Sequence, residues 1–172
     1  MSSSRQVLRG LGFASVLVAA ALSLSACQVR PLYADMDGKE RSISITEPDS
    51  RVEQLVRNEL VYAFSGGAGE SANPAYQMDL QVTAKATGVL AQGTNDEYTA
   101  ARVVVTGAYK MIDQATGQTL FSGQRQAVAL VDNPDQEYAN VRALRDAENR
   151  AAREAAAFLN ADIAGKFARK GL

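Results

Sequence analysis

Between Tyr76 and Thr87 the chain alternates without a fault. Tyr76, Met78, Leu80, Val82, Ala84 and Ala86 fall on one side, and Gln77, Asp79, Gln81, Thr83, Lys85 and Thr87 on the other. A period of two is the signature of a strand whose successive side chains point to opposite faces. Because one face is apolar and the other polar, the strand belongs to a sheet covered on one side only, the habit of antiparallel rather than buried parallel sheets. A second long run from Tyr98 to Ile112 repeats the pattern, with Val103, Val105, Tyr109 and Met111 on one side and Arg102, Thr106 and Lys110 on the other. The segment Asp113-Gln114-Ala115-Thr116-Gly117 reads as a tight turn, where Gly117 supplies a positive φ. The return strand, about Gln118 to Val131, is less regular: Leu120 and Phe121 are adjacent, and Ala127 to Val131 is apolar throughout. A bulge near Gly123 would reconcile its two halves. An earlier strand, Lys39 to Thr46, is marked by Ile43 and Ile45 alternating with Ser42, Ser44 and Thr46.

Two helices complete the pattern. Pro48-Asp49-Ser50 breaks the first strand, and Ser50 with Glu53 has the spacing of a capping box. Val52, Leu55, Val56, Leu60, Ala63 and Phe64 then make one apolar stripe, which Gly66-Gly67 ends. The following stretch to Pro74, and Gln92 to Asp96, read as loops. After Asn133-Pro134-Asp135 a long alanine-rich helix runs to about Ala168. Its apolar side is Tyr138, Val141, Leu144, Ala151, Ala155, Phe158, Leu159, Ile163 and Phe167. Arg142, Asp146, Arg150 and Glu154 make a solvated face of alternating charge. The order βαβββα predicts an α+β fold, a two-layer sandwich with a four-stranded, mostly antiparallel sheet and two helices on one face. There is no internal repeat and no low-complexity tract.

The amino-terminal stretch is of another kind. Arg5 and Arg9 precede the apolar run LGFASVLVAAALSL, Leu11 to Leu24. That run is short for a membrane span, which takes about 20 residues, and it has the layout of a secretory signal. Leu24-Ser25-Ala26-Cys27 resembles a bacterial lipobox, with Cys27 as the lipidated new amino terminus. Cys27 is the single cysteine among 172 residues, so it has no disulfide partner within the chain. The expected organisation is a signal peptide over 1–26, a lipidated tether over 27–38 and a folded domain over 39–172. In the bacterial lipoproteins this site resembles, Asp after the cysteine favours retention in the inner membrane. Gln28 therefore points to the outer membrane, facing the periplasm, with the attached lipid as anchor.

Removal of the signal takes two arginines and no acid, which moves the formal charge of −1 further negative. That balance is not one of a nucleic-acid binder. The sequence contains no histidine, the usual general base near neutral pH and the commonest metal ligand. No spacing sets a nucleophile beside a base. The run Gly66-Gly67-Ala68-Gly69 follows a helix rather than opening one, so it is not a phosphate-cradling loop. The expectation is a protein without catalytic residues, metal or cofactor.

Three features together resemble the lipopolysaccharide-assembly lipoprotein family, LptE, in its alphaproteobacterial form. They are the lipobox followed by Arg30-Pro31-Leu32-Tyr33, the βαβββα order, and the run Arg142-Ala143-Leu144-Arg145-Asp146-Ala147-Glu148 in the last helix. The resemblance implies an outer-membrane lipoprotein that binds and plugs an LptD-type β-barrel translocon, assists its assembly and helps lipopolysaccharide reach the cell surface. It carries over no individual lipopolysaccharide-contacting residue. The residues themselves offer one candidate, since the strands are poor in acid yet hold Lys85, Arg102, Lys110 and Arg125. If their faces coincide, they make a basic patch suited to the phosphates of lipid A. The alternative is the ordinary solvation of an exposed sheet face, and the wider functional alternative is a structural or lipid-binding lipoprotein with no barrel partner.

Overall fold

The computed structural model describes residues 42–91 and 98–171. The signal, Cys27, the tether and the loop expected at Gln92 to Asp96 lie outside the described residues. The elements are β1 (Ile43–Ile45), α1 (Arg51–Ser65), β2 (Tyr76–Ala91), β3 (Tyr98–Asp113), β4 (Thr119–Asp132) and α2 (Glu137–Lys170). One sheet in the order β1-β2-β3-β4 carries both helices. β1 runs parallel to β2, and the other two pairings are antiparallel. The α+β sandwich expected from the sequence is the fold.

Register decides which side chains meet. Met78 pairs with Met111, Leu80 with Tyr109 and Val82 with Gly107, while Val103 pairs with Ala129 and Val105 with Ala127. These residues are buried together with Val56, Leu60 and Phe64 of α1 and Ala151, Ala155, Leu159, Ile163 and Phe167 of α2. Phe167 anchors the lower end, edge-on to Phe121 at 5.1 Å and to Tyr76 at 5.3 Å between ring centres, the geometry aromatic pairs prefer. α2 approaches β3 closely at Gly107, where a Cβ would stand 2.7 Å from Leu159 Cδ1. The alanines along α2 serve the same end on the helix side.

The caps follow the sequence with one change. Ser50 accepts the Glu53 N–H at 3.1 Å, and Gly66 ends α1 in the left-handed region, φ 61°. Glu53 does not reach back to Ser50. It is buried, and its Oε2 accepts the Val82 N–H of β2 at 3.0 Å, so the capping residue also ties helix to sheet. At the β3–β4 turn Gly117 has φ 67°, and Asp113 Oδ1 accepts the N–H groups of Ala115 and Thr116, each at 2.9 Å.

Three expectations need correction. The irregularity in β4 sits at Leu120, since Met111 pairs with Phe121 and Ile112 with Thr119. One extra residue there turns both Leu120 and Phe121 toward the core, and no register shift falls at Gly123. Ala84 and Ala86, on the apolar side of β2, are exposed. Tyr138, Val141 and Phe158 of α2 are exposed at 73%, 42% and 43%. A helix of 34 residues is about 50 Å long, and its first turns carry apolar residues that the described sheet does not bury.

Candidate functional site

The face of the sheet opposite the helices is presented by odd positions of β2 and even positions of β3 and β4. Lys85, Arg102 and Lys110 all stand on it. Lys85 is directly opposite Val104, and Thr87 is opposite Arg102, so Lys85 and Arg102 are diagonal neighbours with Cβ atoms about 7 Å apart or less. Lys110 is not part of that group. It lies eight positions along β3 from Arg102, roughly 27 Å away at the rise of a strand, and its cross-strand partner is Asp79. Beside it, Asp79, Gln81, Ala108, Lys110 and Ser122 surround a shallow depression of about 190 Å³.

Arg125 is on the opposite face. It pairs with Gly107, so its side chain turns toward α2, where it donates to Asp162 Oδ1 at 2.5 Å. Parity excludes it from the basic patch. Asp162 is buried and also accepts from Tyr109 Oη at 2.7 Å and pairs with Lys166 Nζ at 2.8 Å. Burial works to raise its pKa, but the hydrogen bonds from Lys166 and Tyr109 and the charges of Lys166 and Arg125 outweigh it and hold the carboxyl below its ordinary value. Burial, then the bond to Asp162, pushes the Tyr109 hydroxyl upward. Lys166 Nζ also stands 5.1 Å from the Tyr109 ring centre. Gly123 makes room for the group, since a Cβ there would be 2.4 Å from Lys166 Nζ and 2.5 Å from Asp162 Oδ2. Every member has a partner within the fold, so this is a clasp between α2 and the sheet.

What accompanies Lys85 and Arg102 was not singled out from the sequence. Arg102 faces Leu130 across the β3–β4 ladder, and Val104 faces Val128. Leu130 is 66% exposed and Val128 44%. Two adjacent rows, Lys85-Val104-Val128 and Thr87-Arg102-Leu130, therefore run from cationic on β2 and β3 to apolar on β4. The signal was present in the unbroken apolar run Ala127 to Val131. A strand with apolar residues at successive positions has them on both faces: Ala127 and Ala129 are buried in the core and Val131 packs against it, which leaves Val128 and Leu130 on the open face. Such a surface can pair with phosphate and cover an adjoining hydrocarbon chain. Among the described residues no group of acids and cysteines is placed to hold a metal ion, and no helix is long and apolar enough to cross a membrane.

No protein-family model matches the sequence, and no curated protein matches it. Solved structures do. A candidate lipoprotein from Caulobacter crescentus superposes with a TM-score of 0.64 at 25% identity, over 78% of this chain and 97% of that one. Rare lipoprotein B from Shewanella oneidensis gives 0.57 at 10% identity, over 76% and 98%. A minor lipoprotein from Acinetobacter baumannii gives 0.51 at 11% identity, over 71% and 87%. The fold is thus shared with chains from three bacteria that are described as lipoproteins.

Proposed function

We propose that this chain is an outer-membrane lipoprotein, anchored through lipid on Cys27 and facing the periplasm. In this reading it binds lipopolysaccharide on the open sheet face, and it binds and plugs an LptD-type barrel, assisting its assembly and the delivery of lipopolysaccharide to the surface. The single observation that carries the ligand part is the juxtaposition of Lys85 and Arg102 with the exposed Val128 and Leu130 on a face no helix covers. Lipid A is a phosphorylated, multiply acylated amphiphile, and charge-assisted bonds from cations to phosphate are among the stronger polar contacts. Support for the anchor comes from the lipobox and from the lipoproteins that share the fold. Support for the barrel comes from the LptE-like motifs around Cys27 and Arg142.

The partner reading is tested by gentle detergent extraction through a carboxy-terminal tag. One large barrel protein in stoichiometric amount is expected. Recovery of the protein alone would favour the second reading, a lipid-binding lipoprotein without a barrel. For the anchor, Cys27→Ala is expected to abolish incorporation of labelled fatty acid. Continued labelling would place the lipid elsewhere.

A further inference from the structure

Both outer strands of the sheet have backbone groups that bond to side chains, and one stretch of β2 has none among the described residues. On the β1 side, Glu70 Oε1 accepts the Ile45 N–H at 2.8 Å, while Arg57 donates to the carbonyl of Ile45 at 3.4 Å and to that of Thr46 at 3.1 Å. Arg57 and Glu70 are paired with each other at 2.5 Å. On β4, three carbonyls of even-numbered residues accept side chains: Ser122 from Lys166 at 2.6 Å, Gln124 from Arg125 at 2.8 Å and Leu130 from Arg150 at 3.1 Å. Edge strands carry unpaired backbone groups that invite another chain, and charged side chains are a usual means of blocking them.

β1 has three residues and β2 has sixteen, so most of β2 has no strand on that side. The first positions past β1 are sealed. The Met78 carbonyl accepts the Thr46 N–H at 3.0 Å, Thr46 Oγ1 accepts the Leu80 N–H at 3.1 Å, and Glu53 accepts the Val82 N–H. All three are even positions, which fixes the direction of the alternation. The N–H and C=O of Ala84 and Ala86 therefore point away from β3, along the line that β1 would have continued. Among the described residues nothing bonds to them, and Thr83 to Thr87 are all exposed. The methyl side chains of Ala84 and Ala86 lie on the helix side, where they leave room for larger groups. Lys85 lies on the other side, with Arg102 diagonal to it.

We infer that the β2 edge at Ala84 and Ala86 is a docking site for one extended segment of a partner polypeptide, added as a strand in line with β1. Its bulky apolar residues pack over Ala84 and Ala86, and its alternate residues, acidic, stand beside Lys85. Main-chain bonds at a sheet edge give affinity in such additions, and alternate side chains give specificity. The inference goes beyond the lipid and barrel reading and does not depend on it.

The probe is a synthetic peptide of about eight residues, a common strand length, alternating leucine and glutamate with both ends blocked. It is added to the full chain in detergent. Bound peptide is expected to slow hydrogen exchange at the Ala84 and Ala86 amides about tenfold or more. Ala86→Pro deletes one outward N–H, which an edge position tolerates, and is expected to weaken binding about tenfold. A peptide N-methylated on alternate residues is expected to fail in the same way against the unaltered chain, so the test survives if Ala86→Pro misfolds. Replacement of glutamate by lysine is expected to weaken binding as well. Absence of binding, binding without protection of these two amides, or indifference to N-methylation would overturn the inference. So would self-association of the chain that Ala86→Pro abolishes, which would assign the edge to a second copy. None of these outcomes bears on the barrel, which co-purification tests separately.

Discussion

Asp162 shows how a residue can look like a site and be a fastener. Three donors from three elements converge on its carboxylate. Its pKa is held down in the folded state, below the ordinary value of about 3.9. A depressed carboxyl contributes stability that is complete above its unfolded pKa and is lost as pH falls through its folded pKa. The unaltered chain is therefore expected to lose stability as pH drops below about 4, and Asp162→Asn is expected to show a flatter acid limb. At neutral pH that variant should be weaker by about 1.5–3 kcal/mol, a discounted figure because Arg125 is half exposed. Chemical denaturation at several pH values checks both. Sequence alone gave Arg125 the same standing as Lys85, Arg102 and Lys110. Its true place depends on the β3–β4 register, which the extra residue at Leu120, between the turn and Arg125, shifts by one.

At the scale of elements, the long alternating runs were legible because β2 and β3 are each covered on one side only. Tyr76 to Val82 and Val103 to Met111 went to the core as their parity required. β4 was the least legible strand. Leu120 and Phe121 are both partly buried against the core because Leu120 is itself the extra residue, between Thr119 and Phe121. Glycine was read as the mark of a bulge, whereas Gly123 is small to admit Asp162 and Lys166. Gly107 has a similar task beneath α2. Gly107→Ala is expected to cost about 1–3 kcal/mol, the range for overpacking a close contact, measured as a shift of the denaturation midpoint. A neutral substitution there would mean that α2 does not sit as close to β3 as Leu159 indicates. Alternation also misled at Ala84 and Ala86, because period two reports which side a residue faces and not whether anything covers that side. β1 and α1 end too soon to do so.

For the whole molecule, the sequence indicated a tethered sandwich, and the sandwich is the fold it shares with solved structures described as lipoproteins from three bacteria. The surface proposed to bind lipopolysaccharide is assembled only when three strands are in register. The apolar run Ala127 to Val131 marked the β4 part of the patch, but Lys85 and Arg102 lie on different strands, so no local motif joins them to it. The most direct measurement is lipopolysaccharide binding by the purified protein with charges reversed at chosen positions. Lys85→Glu with Arg102→Glu is expected to weaken binding about a hundredfold or more, two charge-assisted contacts being lost, while Lys110→Glu alone leaves it nearly unchanged. Equal binding by the double variant and the unaltered chain would contradict the account.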